Sequence, residues 1–142
     1  MRMICASRHR SIHSKLEAVK SRAPLVVEEY HQRLRSRVEE LLRRSELVVN
    51  QVDLVREVAV FAERADITEE LSRLSAHLAQ MESALTAGDG EPAGRMLEFL
   101  GQEMLREANT IGSKSNDASI ARDVVDIKTA IDRIKEQAAN IE

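Results

Sequence analysis

Two stretches of this chain concentrate side chains able to do chemistry. In the first, Asp66, Glu70, Arg73 and His77 recur at spacings of four, three and four residues. At 100° per residue these four fall within about a 60° sector of one helix, beside an apolar seam. A carboxylate, a guanidinium and an imidazole on one edge can hold a metal or a phosphate, or move protons. Asp66, Glu70 and His77 are thus the candidates for acid–base work. The spacing also sets a limit. Glu70 and His77 lie two turns apart, roughly 10 Å along the axis, too far to share one ion without a third element between them. The rival reading is a row of flanking salt bridges, with Glu70 and Arg73 paired at i, i+3.

In the second stretch, Arg95, Gln102, Arg106, Asn109 and Ser113 share one line of a helix. Guanidinium and amide groups in a row can track a sugar–phosphate backbone, because the Arg fork matches phosphate oxygens. Glu103 and Glu107 lie on a neighbouring line with Lys114. At i, i+4 two carboxylates can reach one Mg²⁺ or Mn²⁺, an ion able to activate water against a phosphodiester. Arg73, Arg95, Arg106, Asn109, Ser113 and Lys114 are the expected phosphate contacts. The rival is again a solvated helix face. The run Asn109–Ser115 joins Gly112, hydroxyls and Lys114, which suits either phosphate binding or a Gly C-cap before a polar loop. The P-loop spacing is absent, as are zinc, dinucleotide and serine-nucleophile motifs. His9, His13 and His31 read as solvated surface residues.

Periodicity assigns all of these groups to helices. Met1–His13 shows no clear helical period, and 14–22 reads as a short helix that Pro24 breaks or restarts. From Leu25 to about Val49, Val27, Tyr30, Leu34, Val38 and Leu41 recur at helical spacing. A further helix over about 52–65 carries Val55, Val58, Ala59, Phe61 and Ala62. Asp66-Ile67-Thr68-Glu69 reads as a helix start with Asp66 as cap. Beyond it Ile67, Leu71, Leu74, Leu78, Met81 and Leu85 form a coiled-coil seam. The segment 87–92 is a turn. A helix over 93–111 would bury Leu97, Leu100, Met104, Ala108 and Ile111. The last, over 118–141, would bury Ile120, Val124, Ile127, Ile131, Ile134, Ala138 and Ile141. The expected fold is all-α, with long antiparallel helices in coiled-coil-like packing.

Composition bounds what such a fold can be. Among 142 residues aromatics are 2%, so small aliphatic side chains must zip the helices together around a thin core. The single cysteine, Cys5, cannot close an internal disulfide, and a cytoplasmic setting is the default. No apolar run of about 18 residues exists, so no membrane span is expected. Residues 1–50 hold 11 Lys/Arg against 6 Asp/Glu, whereas the remainder holds 10 against 18. Nucleic-acid contact in the acidic part must therefore come from local stripes.

Residues 64–77, RADITEELSRLSAH, resemble the YicC/YloC endoribonuclease family's first signature. Residues 94–117, GRMLEFLGQEMLREANTIGSKSND, resemble its second, and IKEQAANIE resembles its C-terminus. The likeness runs from about Leu16 to Glu142, leaving 1–13 as an unmatched N-terminal segment before a helical domain over 14–142. The chain departs from the family at Glu98, where Asp is usual, and at Leu105, where Asn is common. The resemblance implies a bacterial, cytoplasmic, divalent-metal-dependent endoribonuclease acting on RNA as a ring-like homo-oligomer such as a hexamer. It also implies that this chain is a fragment lacking the family's N-terminal half. A non-catalytic oligomerisation module or an RNA-binding adaptor is the alternative. The residue roles given above come from spacing; the resemblance does not assign them.

Overall fold

The computed structural model describes residues 2–44, 48, 50–87 and 91–140. It contains five helices: α1 (Arg2–Arg43), α2 (Gln51–Arg64), α3 (Thr68–Ala87), α4 (Glu91–Lys114) and α5 (Ala118–Ala139). No strand occurs among the described residues. The turn expected over 87–92 falls largely on residues 88–90, which lie outside the described residues, as does Ile141.

The N-terminal part of α1 joins α3, α4 and α5 in a four-helix arrangement in which α1 touches α3 and α5, and α4 touches the same two. Neighbours run antiparallel. The Cys5 thiol donates to Gln137 Oε1 at 3.0 Å, and Arg22 meets Asp117 at the opposite end of the same helix pair. The seams expected on α3, α4 and α5 are buried over their described length, apart from Leu85, which is half-buried. Leu74, Met81, Leu100, Met104, Ile131 and Ile134 are fully buried. Leu105 packs half-buried against this core, which accounts for an apolar residue there.

The N-terminus departs from expectation. Residues 2–43 form one helix, with neither an irregular start nor a break at Pro24. The reason is tertiary. Cys5, Ile12, Val19 and Val26 repeat every seven residues and are buried together with Leu16. This heptad spans Pro24, and its burial outweighs the one backbone hydrogen bond that the ring removes. Interleaved Arg, His and Ser residues conceal the repeat in the sequence.

Beyond Val26, α1 leaves the bundle and pairs with α2. The Tyr30 and Phe61 rings stack with centroids 3.7 Å apart. Here the buried face differs in part from the expected one: Leu54 is buried, while Val55 and Leu41 are exposed. Gly112 is also not a C-cap. It lies inside α4, where a Cβ would stand 3.4 Å from the Val124 side chain.

Candidate functional site

The two polar stretches meet where α3 and α4 pack antiparallel. Arg73 Nε donates to Glu107 Oε1 at 2.8 Å, and its Nη2 donates to Glu107 Oε2 at 3.2 Å. Glu69, one turn back, also holds Arg73. One step along the seam, Lys114 Nζ donates to Glu70 Oε1 at 2.5 Å and to the Asp66 carbonyl at 3.4 Å. The i, i+3 pairing of Glu70 with Arg73 offered by the rival reading is therefore replaced by bonds across the helix interface. The reason is reach: Glu70 points inward at the edge of the seam, and the end of α4 brings Lys114 over it.

Glu70 is only 4% exposed, and its Oε2 is buried without a partner. Burial pushes its carboxyl upward, but the hydrogen bond and charge of Lys114, with Arg73 beyond, hold it below the ordinary carboxylate range. Glu107 is likewise buried, and both of its oxygens are bound by Arg73. That fork in turn holds Arg73 more firmly protonated than usual.

Asp66 lies just before α3 rather than at the expected cap position: the helix begins at Thr68 and its first bond, from the Leu71 amide, is accepted by the Ile67 carbonyl. Asp66 Oδ1 accepts from the Thr68 amide at 2.9 Å and from the Thr68 hydroxyl at 2.5 Å. These bonds lower its carboxyl below the usual value. His77 sits two turns beyond Glu70 along the same edge, half-buried, with Nδ1 buried and without a partner. The register set by Arg73–Glu107 places His77 level with Glu103. Glu103 Oε1 stands 4.0 Å from Arg106 Nη2, a loose pair.

The structure thus gathers Asp66, Glu70, Arg73, His77, Glu103, Glu107 and Lys114 along one seam. Arg106, Asn109 and Ser113 lie on the adjoining exposed side of α4, with Arg95 and Gln102. The metal expectation meets an obstacle. Arg73 occupies both oxygens of Glu107, so Glu103 and Glu107 do not present a free pair. Among the described residues no group of three or more His, Cys, Asp or Glu could hold an ion. As arranged, this donor set does not fit a divalent cation.

Sequence reasoning missed Arg22. Its guanidinium binds Asp117 through Nε at 3.2 Å and Nη2 at 2.8 Å, and Glu29 through Nη1 and Nη2 at 2.8 and 2.7 Å. Asp117 also caps α5, accepting from the Ile120 amide at 3.1 Å. Arg22 therefore anchors the segment that follows Lys114. The cap is legible locally, but a contact across 95 residues leaves no local signal. His9 also departs from expectation: its Nε2 lies 3.0 Å from the Leu78 carbonyl, so it bridges α1 and α3.

The family described as "Endoribonuclease YicC-like, C-terminal" matches residues 19–142. A protein of Clostridioides difficile named "Probable endoribonuclease YicC" is 38% identical over 131 residues, covering 92% of this chain and 44% of that protein. A protein of the same name from Haemophilus influenzae is 34% identical over 132 residues, covering 93% of this chain and 44% of that protein. The chain spans less than half the length of these relatives. No described helix is long and apolar enough to cross a membrane. With its two signature stretches meeting across one helix seam, the chain belongs to the YicC-like endoribonuclease family and corresponds to that family's C-terminal domain.

Proposed function

We propose that this domain binds RNA along the α3/α4 edge and takes part in phosphodiester hydrolysis within a longer, oligomeric endoribonuclease. One observation carries the reading: Glu70–Lys114 and Arg73–Glu107 draw two polar stretches, distant in sequence, into one row. On this reading Arg73, Arg95, Arg106, Asn109, Ser113 and Lys114 contact phosphates. Glu70 and Asp66 set the charge and geometry of the row, and His77, with its unpartnered Nδ1, moves the proton. The relatives' printed names support RNA cleavage as the activity. A divalent ion, Mn²⁺ or Mg²⁺, belongs to the proposal for the longer protein alone. Glu107 is committed to Arg73, so no step of the reaction is routed through an ion on this domain.

That same commitment favours a second reading, in which this domain is a non-catalytic RNA-binding or assembly module. Metal-titrated cleavage of a defined RNA separates the two. The longer protein should cleave, and His77→Ala should abolish cleavage while leaving RNA affinity and assembly intact. Full cleavage by His77→Ala removes the acid–base role. Glu103→Gln and Glu107→Gln, assayed for metal dependence, decide whether either carboxylate serves the ion. Unchanged RNA affinity in Arg73→Ala and Arg106→Ala, with loss of assembly, would establish the structural reading instead.

A further inference from the structure

The cations singled out on the α3/α4 seam are already neutralised by carboxylates. One cation of α5 is not. Lys135 Nζ donates to Gln102 Oε1 at 2.8 Å, so among the described residues its hydrogen-bond partner is a neutral amide. It reaches that position through a notch. A Cβ on Gly101 would lie 2.5 Å from Lys135 Cγ and 2.9 Å from Cδ. Glycine therefore lets the lysine stem cross α4 and deliver its charge to the outer face, beside the Gln102–Arg106–Asn109 line. Lys128 lies seven residues earlier on the same line of α5, and the Gly101–Lys135 and Gly112–Val124 contacts set a register that places it near Asn109. Arg106 is 71% exposed on this face, its carboxylate contact being the loose one to Glu103.

The same face presents an aromatic ring. Phe99 is 59% exposed in a chain with only three aromatic residues, and it precedes Gln102 and Glu103 by three and four positions. It is not among the partly buried apolar side chains that pack against the core. A flat apolar ring on the helix face that carries Arg106, with Lys135 reaching Gln102 there, suits an unpaired base stacked on the ring with its phosphates on the cations. A duplex would hide its base faces from such a ring.

We infer that Phe99 is a base-stacking platform and Lys135 a phosphate contact, which together hold unpaired RNA across the outer face of α4. This rests on the RNA-binding reading above and adds residues which that reading did not include.

The test uses the 142-residue chain and a short RNA carrying one 2-aminopurine, titrated at several salt concentrations. Binding should quench the fluorophore. Phe99→Leu keeps apolar bulk but removes the ring; it should abolish the quench and weaken binding by about fivefold or more. Lys135→Met should lower the salt slope by about 0.7. Gly101→Ala should move the slope the same way in the parent chain and add little in the Lys135→Met background, because it acts by displacing that lysine. Circular dichroism of each variant checks that the helices persist. Arg106→Ala is the reference. If it weakens binding while Phe99→Leu and Lys135→Met do not, the inference falls and the RNA-binding reading stands. If the parent chain binds no RNA, both fall. An unchanged quench in Phe99→Leu refutes stacking, and an unchanged slope in Lys135→Met refutes the phosphate contact.

Discussion

Replacing Lys114 with Met removes the cation from Glu70 and leaves a carboxylate that is 4% exposed, its Oε1 stripped of the ammonium and its Oε2 already unpartnered. Orphaning a buried acceptor costs about 1–3 kcal/mol, and more when it is charged. Lys114 is itself 39% exposed, so water already screens the pair, and about 1–2 kcal/mol is the expected loss at pH 7. For a chain of this length that corresponds to a melting temperature about 3–7 °C lower. The pH dependence then separates this cause from lost packing. In the parent chain Glu70 is held below the usual carboxylate range. It therefore contributes stability at neutral pH, and that contribution fades as pH falls through the usual carboxylate value toward the lowered one. In Lys114→Met the main lowering influence is gone and burial pushes the carboxyl up. Protonation then relieves the penalty, and the gap to the parent chain should narrow between pH 7 and pH 5. The double variant Lys114→Met/Glu70→Gln should recover at least half of the loss at pH 7, measured by urea unfolding. A constant gap across pH, or no recovery in the double variant, would refute the assignment of Glu70 as a carboxylate held in place by Lys114.

Three further predictions concern α1 and its partner Asp117. Arg22→Gln should leave the helices formed but speed hydrogen exchange over residues 113–120, because Asp117 loses the fork that anchors the start of α5; exchange equal to the parent would mean the anchor is redundant. The same ion pair lowers Asp117, so its contribution is present above the usual aspartate value and is lost as pH falls below about 4; acid unfolding should therefore begin at higher pH in the parent than in Asp117→Asn measured against its own neutral baseline. Pro24 is exposed inside α1 and removes one helix bond, so Pro24→Ala should stabilise the chain by about 1–2 kcal/mol after the unfolded-state entropy is set against the gain. A lower melting temperature would mean that the ring itself is required, for example as the wall it forms in the groove of about 560 Å³ between α1, α2 and α3.

Much of the architecture is readable from the residues alone. The alternation of apolar residues at three and four positions on α3, α4 and α5 dictates the buried face of each helix, and each predicted seam position from Ile67 to Met81, Leu97 to Ile111 and Ile120 to Ala138 is buried. Periodicity also identifies the polar lines beside those seams, because 3.6 residues per turn places them whatever the helix packs against. The α1 helix is obscured because its heptad relies on Cys5 and on residues either side of a proline, where local propensity argues against what tertiary burial enforces.

Pairing between lines depends on which helices become neighbours and in what register, and that is a property of the assembled bundle. Local spacing offers Arg73 to Glu70, whereas the antiparallel packing of α3 on α4 gives it to Glu107 and gives Glu70 to Lys114. Arg22 on Asp117 and Lys135 on Gln102 join residues 95 and 33 positions apart. A Coulomb or hydrogen-bond contact falls off over a few ångströms, so no one-dimensional pattern encodes it until the core has set the distance. Helical periodicity is enough to specify the buried faces of α3, α4 and α5, whereas the choice of neighbours and register in the assembled bundle settles which charges cancel and which, like Lys135 on Gln102, meet a neutral partner.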